Sequence, residues 1–173
     1  MLMQKMNGQE CREFLGRAGM GRLGCARNNQ PYVIPIYFAY EGDRLYCFST
    51  FGQKIEWMRA NPLVCVEADE VFAHNNWRSV VVLGRFQDLS DRPESDEVRR
   101  TAQATLEKRS MWWQTAYAAN QPRRKTQPTQ PVFYCIHIDD ISGHKALPDA
   151  IEAPPLQTRP IASRLTQKLR CPA

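Results

Sequence analysis

The residues that come nearest to a reactive constellation lie in one short segment, at Ser49, Thr50 and Lys54. The two hydroxyls end a predicted strand, and Lys54 falls in the first turn of a predicted helix, Gly52 to Ala60. A helix amino terminus presents free N–H groups and a partial positive charge, so a phosphate suits this position. The alternative is a surface lysine after an ordinary strand-to-turn transition.

Cysteine and histidine, the other residue types that do chemistry, show no spacing typical of a metal or catalytic site. The six cysteines form no Cys-x-x-Cys pair, and four of them fall inside apolar runs: Cys25, Cys47, Cys65 and Cys135. Free cysteines in such runs behave as small buried hydrophobes, so we expect reduced core thiols and no metal site. The three histidines are His74, His137 and His144.

Length and composition are those of one globular domain. The chain has 173 residues, of which 43% are hydrophobic and 24% charged. No apolar run approaches the roughly 20 residues that cross a bilayer, and the amino terminus has no signal-peptide pattern. We therefore expect a cytoplasmic protein with no membrane partner. The net charge of +5 is accompanied by no nucleic-acid-binding motif, so nucleic acid is an unlikely partner.

The elements that must position the candidate residues are mostly strands joined by short turns. Apolar and β-branched runs predict six strands, at about 21–26, 31–40, 44–49, 63–68, 77–87 and 132–141. Periodic patterns predict three helices, at 9–18, at 52–60 and around Val98, Ala102 and Leu106. The expected fold is mainly β (α+β), an antiparallel barrel with about three flanking helices. Residues 146–173 form a proline-rich basic tail that we expect to be extended or disordered.

Pro35 lies in the middle of the second predicted strand, Pro31 to Tyr40. Proline cannot donate a ladder hydrogen bond, so the strand should lie at an edge, be bulged or be splayed there. A splayed strand would leave room for a ligand, whereas an edge-strand proline would have no functional consequence.

The order of these segments resembles the FMN-binding split barrel of the pyridoxamine 5'-phosphate oxidase-related family, in particular its nitroimidazole-resistance branch. The resemblance covers about residues 8–145. The segments that carry it are Gly21-Arg-Leu-Gly, Pro31-Tyr-Val-Ile-Pro35, Leu45-Tyr-Cys-Phe-Ser-Thr50, Gly52-Gln-Lys54, Ala60-Asn-Pro62, Trp77-Arg-Ser-Val-Val-Val-Leu-Gly84 and Phe133 to Gly143.

The resemblance implies a six-stranded split β-barrel spanning residues 1–145 that binds FMN at the interface of a homodimer. It places the backbone of one strand along the flavin, hydroxyls and a lysine at the phosphate, and a later strand at the far wall of the pocket. The implied cofactor-binding residues are Val33, Ile34, Pro35, Ile36, Ser49, Thr50, Lys54, Trp77, Ser79 and Val80. FMN needs such an apolar slot with backbone partners and a phosphate cation.

The sequence differs from the resembled family at two places, and these differences limit which of the family's activities we expect of this chain. Pyridoxamine phosphate oxidases have an arginine where Gln53 stands, and their carboxy-terminal tryptophan and arginine-rich stretch is missing here. Nitroimidazole-resistance proteins often have a histidine in the strand matching Tyr46 to Ser49, which has none in this chain. We therefore expect a protein that is not a pyridoxamine phosphate oxidase, and we assign no catalytic residue.

The leading hypothesis is an FMN-dependent oxidoreductase acting on a small-molecule substrate, with a nicotinamide or a deazaflavin as electron donor. The alternative is a non-catalytic split barrel that holds flavin or haem. Haem would require an axial ligand from His74, His137 or His144, none of which lies in a recognisable haem motif. A basic barrel that binds nucleic acid or a protein is a third possibility.

Overall fold

Seven strands and three helices make up the part of the chain that the computed structural model describes, residues 2–89, 96–108 and 131–148. In chain order they are β1 (Leu2–Met6), α1 (Gly8–Arg17), β2 (Met20–Arg27), β3 (Gln30–Glu41), β4 (Arg44–Thr50), α2 (Gln53–Ala60), β5 (Leu63–Ala73), β6 (Asn76–Asp88), α3 (Asp96–Glu107) and β7 (Pro131–Leu147).

The strands form one antiparallel sheet in the order β1-β7-β4-β3-β2-β5-β6. β6 also pairs with β7, so the sheet closes into a ring of six strands with β1 attached outside it. Short turns connect neighbours: Asn28 and Asn29 have positive φ angles of 50° and 61° between β2 and β3, as a tight hairpin requires. The predicted split β-barrel with flanking helices is confirmed.

Alternation along the strands decides which side chains fill the ring. In β2, for example, Gly21, Leu23 and Cys25 are inside, and their neighbours face outward. α1 and α2 pack apolar faces against this core, through Phe14 and Leu15 and through Ile55 and Met58. α3 covers a second cluster on the outside of β3, β4 and β7, with its buried residues Ala102 and Leu106.

The ring consists of the six predicted strands, and the described residues add a seventh strand that was not predicted, β1. β1 pairs with the carboxy-terminal section of β7, from Leu2 opposite Leu147 to Met6 opposite Gly143. The prediction ended β7 near Ile141 because Gly143, His144 and Lys145 are weak strand formers. Pairing with β1 on one edge and β6 on the other overrides that weak propensity.

The expected core thiols are confirmed for the cysteines that the structure describes. Cys11, Cys25, Cys47 and Cys135 are buried and Cys65 is half-buried, and all five are unbridged. Cys171 and most of the predicted tail lie outside the described residues. Within the described ranges, every helix is too short or too polar to cross a membrane.

Candidate functional site

β3 and β4 pair over four residues only, 38–41 against 44–47. Before residue 38, β3 pairs with β2 alone, and after residue 47, β4 pairs with β7 alone. The two strands therefore separate. We call the gap between residues 33–37 of β3 and 48–50 of β4 the split. Among the described strands, none fills it.

Pro35 stands on the rim of the split. The N–H of Phe38 donates to the carbonyl oxygen of Gly19 at 3.1 Å, on the β2 side. Because successive N–H groups of a strand point to opposite edges, the N–H of Ile36 also faces β2 and the nitrogen of Pro35 faces the split. The proline therefore removes no hydrogen bond between β2 and β3, although it is paired with Arg22. Of the three arrangements that Pro35 allowed, an edge strand, a bulge or a splayed strand, the structure has the splayed one.

The rim residues alternate between the two faces of the sheet. Ile36 and Ser49 point into the ring and are buried. Val33, Pro35 and Thr50 point outward and are exposed, Val33 by 65%. The hydroxyl of Ser49 donates to the carbonyl oxygen of Thr50 at 3.0 Å. The remaining predicted rim residue is Ile34, which packs partly buried against the core.

α2 begins directly beyond the β4 rim and is fixed at both ends. Its first residue is preceded by Gly52, whose carbonyl oxygen accepts from the N–H groups of Ile55 and Glu56 at 2.9 and 3.1 Å. Within the described residues no side chain caps this end of the helix, so the N–H groups of Gln53 and Lys54 remain available to an anion. At the other end the amide of Asn61 donates to the carbonyl oxygen of Ala26 at 3.0 Å, which ties α2 to β2.

Lys54 is a half-buried cation in the first turn of α2. Burial lowers the pKa of its ammonium group, and Cys47 and Cys25 raise it by less and only as thiolates. Burial also raises the pKa of Cys47 to about 12 and raises that of Cys25. Both thiols are therefore neutral near pH 7 and provide no counter-charge.

No carboxylate of the described residues lies in salt-bridge range of Lys54. Other partly buried cations do have one, such as Lys145, whose ammonium lies 2.5 Å from a carboxylate oxygen of Glu10. Desolvating a charge without a partner is unfavourable, so an anion bound at Lys54 would remove that penalty. The residues present fit a phosphate group.

The three predicted residues of β6 lie away from the split, on a strand that pairs with β5 and β7 only. Val80 is fully buried in the core, and Trp77 is half-buried. The hydroxyl of Ser79 donates to Glu67 at 2.9 Å, and Glu67 in turn accepts from Arg22 at 3.1 Å. The structure thus places seven of the ten predicted residues on the rims of the split or at the start of α2: Val33, Ile34, Pro35, Ile36, Ser49, Thr50 and Lys54. The three β6 residues lie elsewhere in the same chain.

The histidines weighed as haem ligands are not among the residues that form the rims of the split. His74 lies in the exposed turn after β5 and His144 lies on β7 opposite Ser79. A ring nitrogen of His137 lies 2.5 Å from the amide oxygen of Gln87, and burial lowers the pKa of the ring.

The sequence model of the pyridoxamine 5'-phosphate oxidase family matches residues 7–145. The chain belongs to this family. A protein of Rhizobium meliloti with no assigned function is 37% identical over 146 residues, 84% of this chain and 97% of its own. Since the family match ends at residue 145, the last 28 residues lie outside it.

Solved structures of similar proteins have the same fold. An FAD-binding protein of Mesorhizobium loti is 39% identical, with a TM-score of 0.69 over 86% of this chain and 99% of its own. A candidate 5-nitroimidazole antibiotic resistance protein of Bacteroides thetaiotaomicron is 21% identical, with a TM-score of 0.60 over 84% and 89%. The latter likeness is one of fold alone.

The sequence analysis did not predict the side-chain contacts near the split that involve Phe48 and Arg22. Phe48 and Phe133 contact one another across β4 and β7, with ring centroids 5.1 Å apart. Arg22 bonds to Glu67 and Asp69 beside Pro35. Strand alternation could have placed Arg22 and Pro35 on one face, but contacts between residues 45 or more positions apart have no local signal.

Proposed function

We propose that this chain is a flavin-dependent oxidoreductase that binds FMN in the split and acts on a small-molecule substrate. The observation that carries the proposal is Lys54, a half-buried cation without a carboxylate partner among the described residues. It lies at a helix start without a side-chain cap that follows Ser49 and Thr50 in the chain, a setting suited to a flavin phosphate.

The rims of the split suit the flat ring of a flavin. Residues 33–36 of β3 present an unpaired backbone edge, whose N–H and C=O groups can bond to the polar edge of the ring. Ile34, Ile36 and Pro35 supply apolar surface around it. The flavin, when bound, accepts and donates electrons, and the residues of this chain bind and orient it. No side chain at the split is assigned a catalytic role.

FAD is the second candidate cofactor, and the FAD-binding relative of Mesorhizobium loti favours it. FMN and FAD share the ring, the ribityl chain and the first phosphate, so the split and Lys54 serve either. Identification of the bound molecule decides between them. Mass spectrometry of the heat-released cofactor should give the mass of FMN, whereas the mass of FAD would correct the cofactor and leave the site in place.

The same purified protein tests whether a flavin is bound at all. We expect absorbance maxima at flavin wavelengths that dithionite bleaches and air restores. A Soret band would instead indicate the haem alternative, and a protein that neither copurifies with flavin nor takes it up on reconstitution would overturn the proposal. A flavin that no reductant other than dithionite can reduce would support a non-catalytic flavin-binding protein.

The proposed assembly is a homodimer with the flavin between the subunits. A second copy would bring its Trp77 and Ser79 to the split, which one chain cannot do. Large apolar side chains exposed on the single chain, such as Val71 at 67% and Phe72 at 64%, support an interface. Light scattering should give about twice the chain mass of 20.0 kDa. A strict monomer that holds flavin would contradict the shared pocket.

A further inference from the structure

Phe51 is an exposed aromatic residue between the β4 rim of the split and the start of α2. It directly follows Thr50, the last residue of β4, and 48% of its surface is exposed. Lys54 lies three residues further along the chain, so the Cα atoms of Phe51 and Lys54 are at most about 11 Å apart. A ligand with a phosphate at Lys54 can therefore extend to Phe51.

The guanidinium of Arg59 covers one face of the Phe51 ring. Its central carbon lies 5.4 Å from the ring centroid. Arg59 belongs to the last turn of α2, and helix side chains lean toward the amino terminus, which directs Arg59 back toward residue 51. A cation over the face of an aromatic ring is attracted to it, so this contact holds the ring beside the start of α2.

Asp88, the last residue of β6, holds the guanidinium of Arg59 in place. One carboxylate oxygen of Asp88 accepts a hydrogen bond from Nε of Arg59 at 2.7 Å and lies 2.6 Å from its Nη2. Contacts to two nitrogens restrict the rotation of a guanidinium. Phe51 and Arg59 therefore form a surface that is ordered before any ligand binds, and we call these two residues the Phe51 shelf.

The other face of the Phe51 ring is open to a ligand. Among the described residues, no second aromatic ring contacts Phe51. Because Arg59 covers one face, the exposed surface of the side chain is its edge and its opposite face. Nucleobases stack on such aromatic faces, and a neighbouring arginine adds to the interaction. A base stacked there would also remove apolar surface from water.

We propose that the Phe51 shelf binds the adenine ring of a dinucleotide whose other half reaches the split. This inference rests on the proposed function, because it takes a flavin phosphate at Lys54 as its starting point. Two molecules provide this chemistry. One is FAD, in which phosphates join the adenosine to the flavin, and the other is a nicotinamide adenine dinucleotide that binds beside FMN as the electron donor.

Two matched pairs of ligands test the inference and distinguish the two sources of adenine. FAD and FMN are titrated by calorimetry into flavin-free protein, and NAD⁺ and nicotinamide mononucleotide into FMN-loaded protein. Within each pair, only the first ligand carries adenosine. In one of the two pairs we expect the adenosine-bearing ligand to bind wild type about 5- to 100-fold more tightly, the worth of stacking one base on an aromatic side chain. The pair that shows this preference identifies the dinucleotide.

Phe51→Leu should abolish that preference and leave FMN affinity unchanged, whereas Phe51→Trp keeps an aromatic face and should preserve the preference. Leu83→Ala is the control, because it truncates an exposed apolar side chain of β6, which pairs with neither rim. It should behave as wild type. Equal affinities within both pairs, or a preference that Phe51→Leu leaves unchanged, would overturn the inference while flavin binding stands. A wild type that binds neither FMN nor FAD would defeat the proposed function and this inference together.

Discussion

The split and the seam, which is the pairing between β6 and β7, differ in how completely their strands are hydrogen-bonded. β6 pairs with β7 along residues 77–88 and 134–146, and with β5 on its other edge. β3 pairs with β4 over four residues and leaves the rest of that edge open. Completed ladders satisfy the backbone internally, whereas unpaired N–H and C=O groups need another partner. Ligand binding is thus expected where the ladder stops.

The two regions also differ in how much free space surrounds their side-chain positions. At the seam, a Cβ on Gly84 would meet the carbonyl oxygen of His137 at 2.2 Å, beside the one irregularity of the β6–β7 register. At the split, Val33 and Thr50 project into open space. The seam is therefore closely packed, whereas the strands at the split are exposed and not paired with each other.

The largest expected effect is at the seam. Gly84→Ala forces backbone atoms apart, so we expect the free energy of unfolding to fall by about 3 kcal/mol or more. Gly16→Ala in α1 is the control, because a Cβ there meets nothing within 4 Å. That variant should gain about 0.5–1 kcal/mol from helix propensity. Urea unfolding measures both, and a Gly84→Ala protein of wild-type stability would show that the seam can relax.

A smaller effect of opposite sign is expected at Lys54 in flavin-free protein. Folding lowers the pKa of this group below its ordinary 10.5, so the unfolded chain binds more protons in the window between the two values. The contribution of Lys54 to stability should therefore rise with pH through that window, while the buried thiols, whose pKa values are raised in the folded protein, make an opposite contribution. Lys54→Met removes the buried charge and should raise the free energy of unfolding near pH 7 by up to about 2 kcal/mol.

Urea unfolding from pH 7 to 10.5 checks this prediction. The stability advantage of Lys54→Met over the wild type should shrink as the pH rises, because both proteins share the opposing contribution of the thiols. Lys5→Met, at an exposed lysine of β1, should show no such pH-dependent difference from the wild type. A Lys54→Met protein that is less stable than the wild type at pH 7 would mean that Lys54 supports the fold rather than a ligand.

The smallest effect is expected in the surface network that links the two regions. Arg22 is half-exposed, and its bonds to Glu67 and Asp69 are screened by water. Arg22→Ala should lower the free energy of unfolding only slightly, less than either of the other two changes alters it. Thermal unfolding at low and high salt measures it, and a loss that salt does not reduce would speak against a screened ion pair.

Local patterns predicted most of the ring but not its closure. The segments 31–40 and 44–49 were identifiable as strands, and Pro35 indicated that the first of them is an edge strand, bulged or splayed. β1 was missed because Leu2–Met6 is short and has no clear alternation. Its strand conformation depends on pairing with the far end of β7, more than 130 residues away.

The candidate site was predictable in its segments and not in its arrangement. Ser49, Thr50 and Lys54 lie close in sequence, so a helix start beside two hydroxyls could be identified. That Lys54 approaches two neutral thiols instead of a carboxylate depends on packing across the ring, which no local pattern specifies. The contact between Phe48 and Phe133 has the same origin.

The central claim is that Lys54 binds the phosphate of a flavin, and one comparison tests it most directly. FMN and riboflavin, which differ only in that phosphate, are titrated into wild type and Lys54→Ala by quenching of flavin fluorescence. The variant should lose about 10- to 100-fold in FMN affinity, the range for a charge-assisted hydrogen bond, and bind riboflavin as the wild type does. Equal losses for both ligands, or no loss for FMN, would contradict the account.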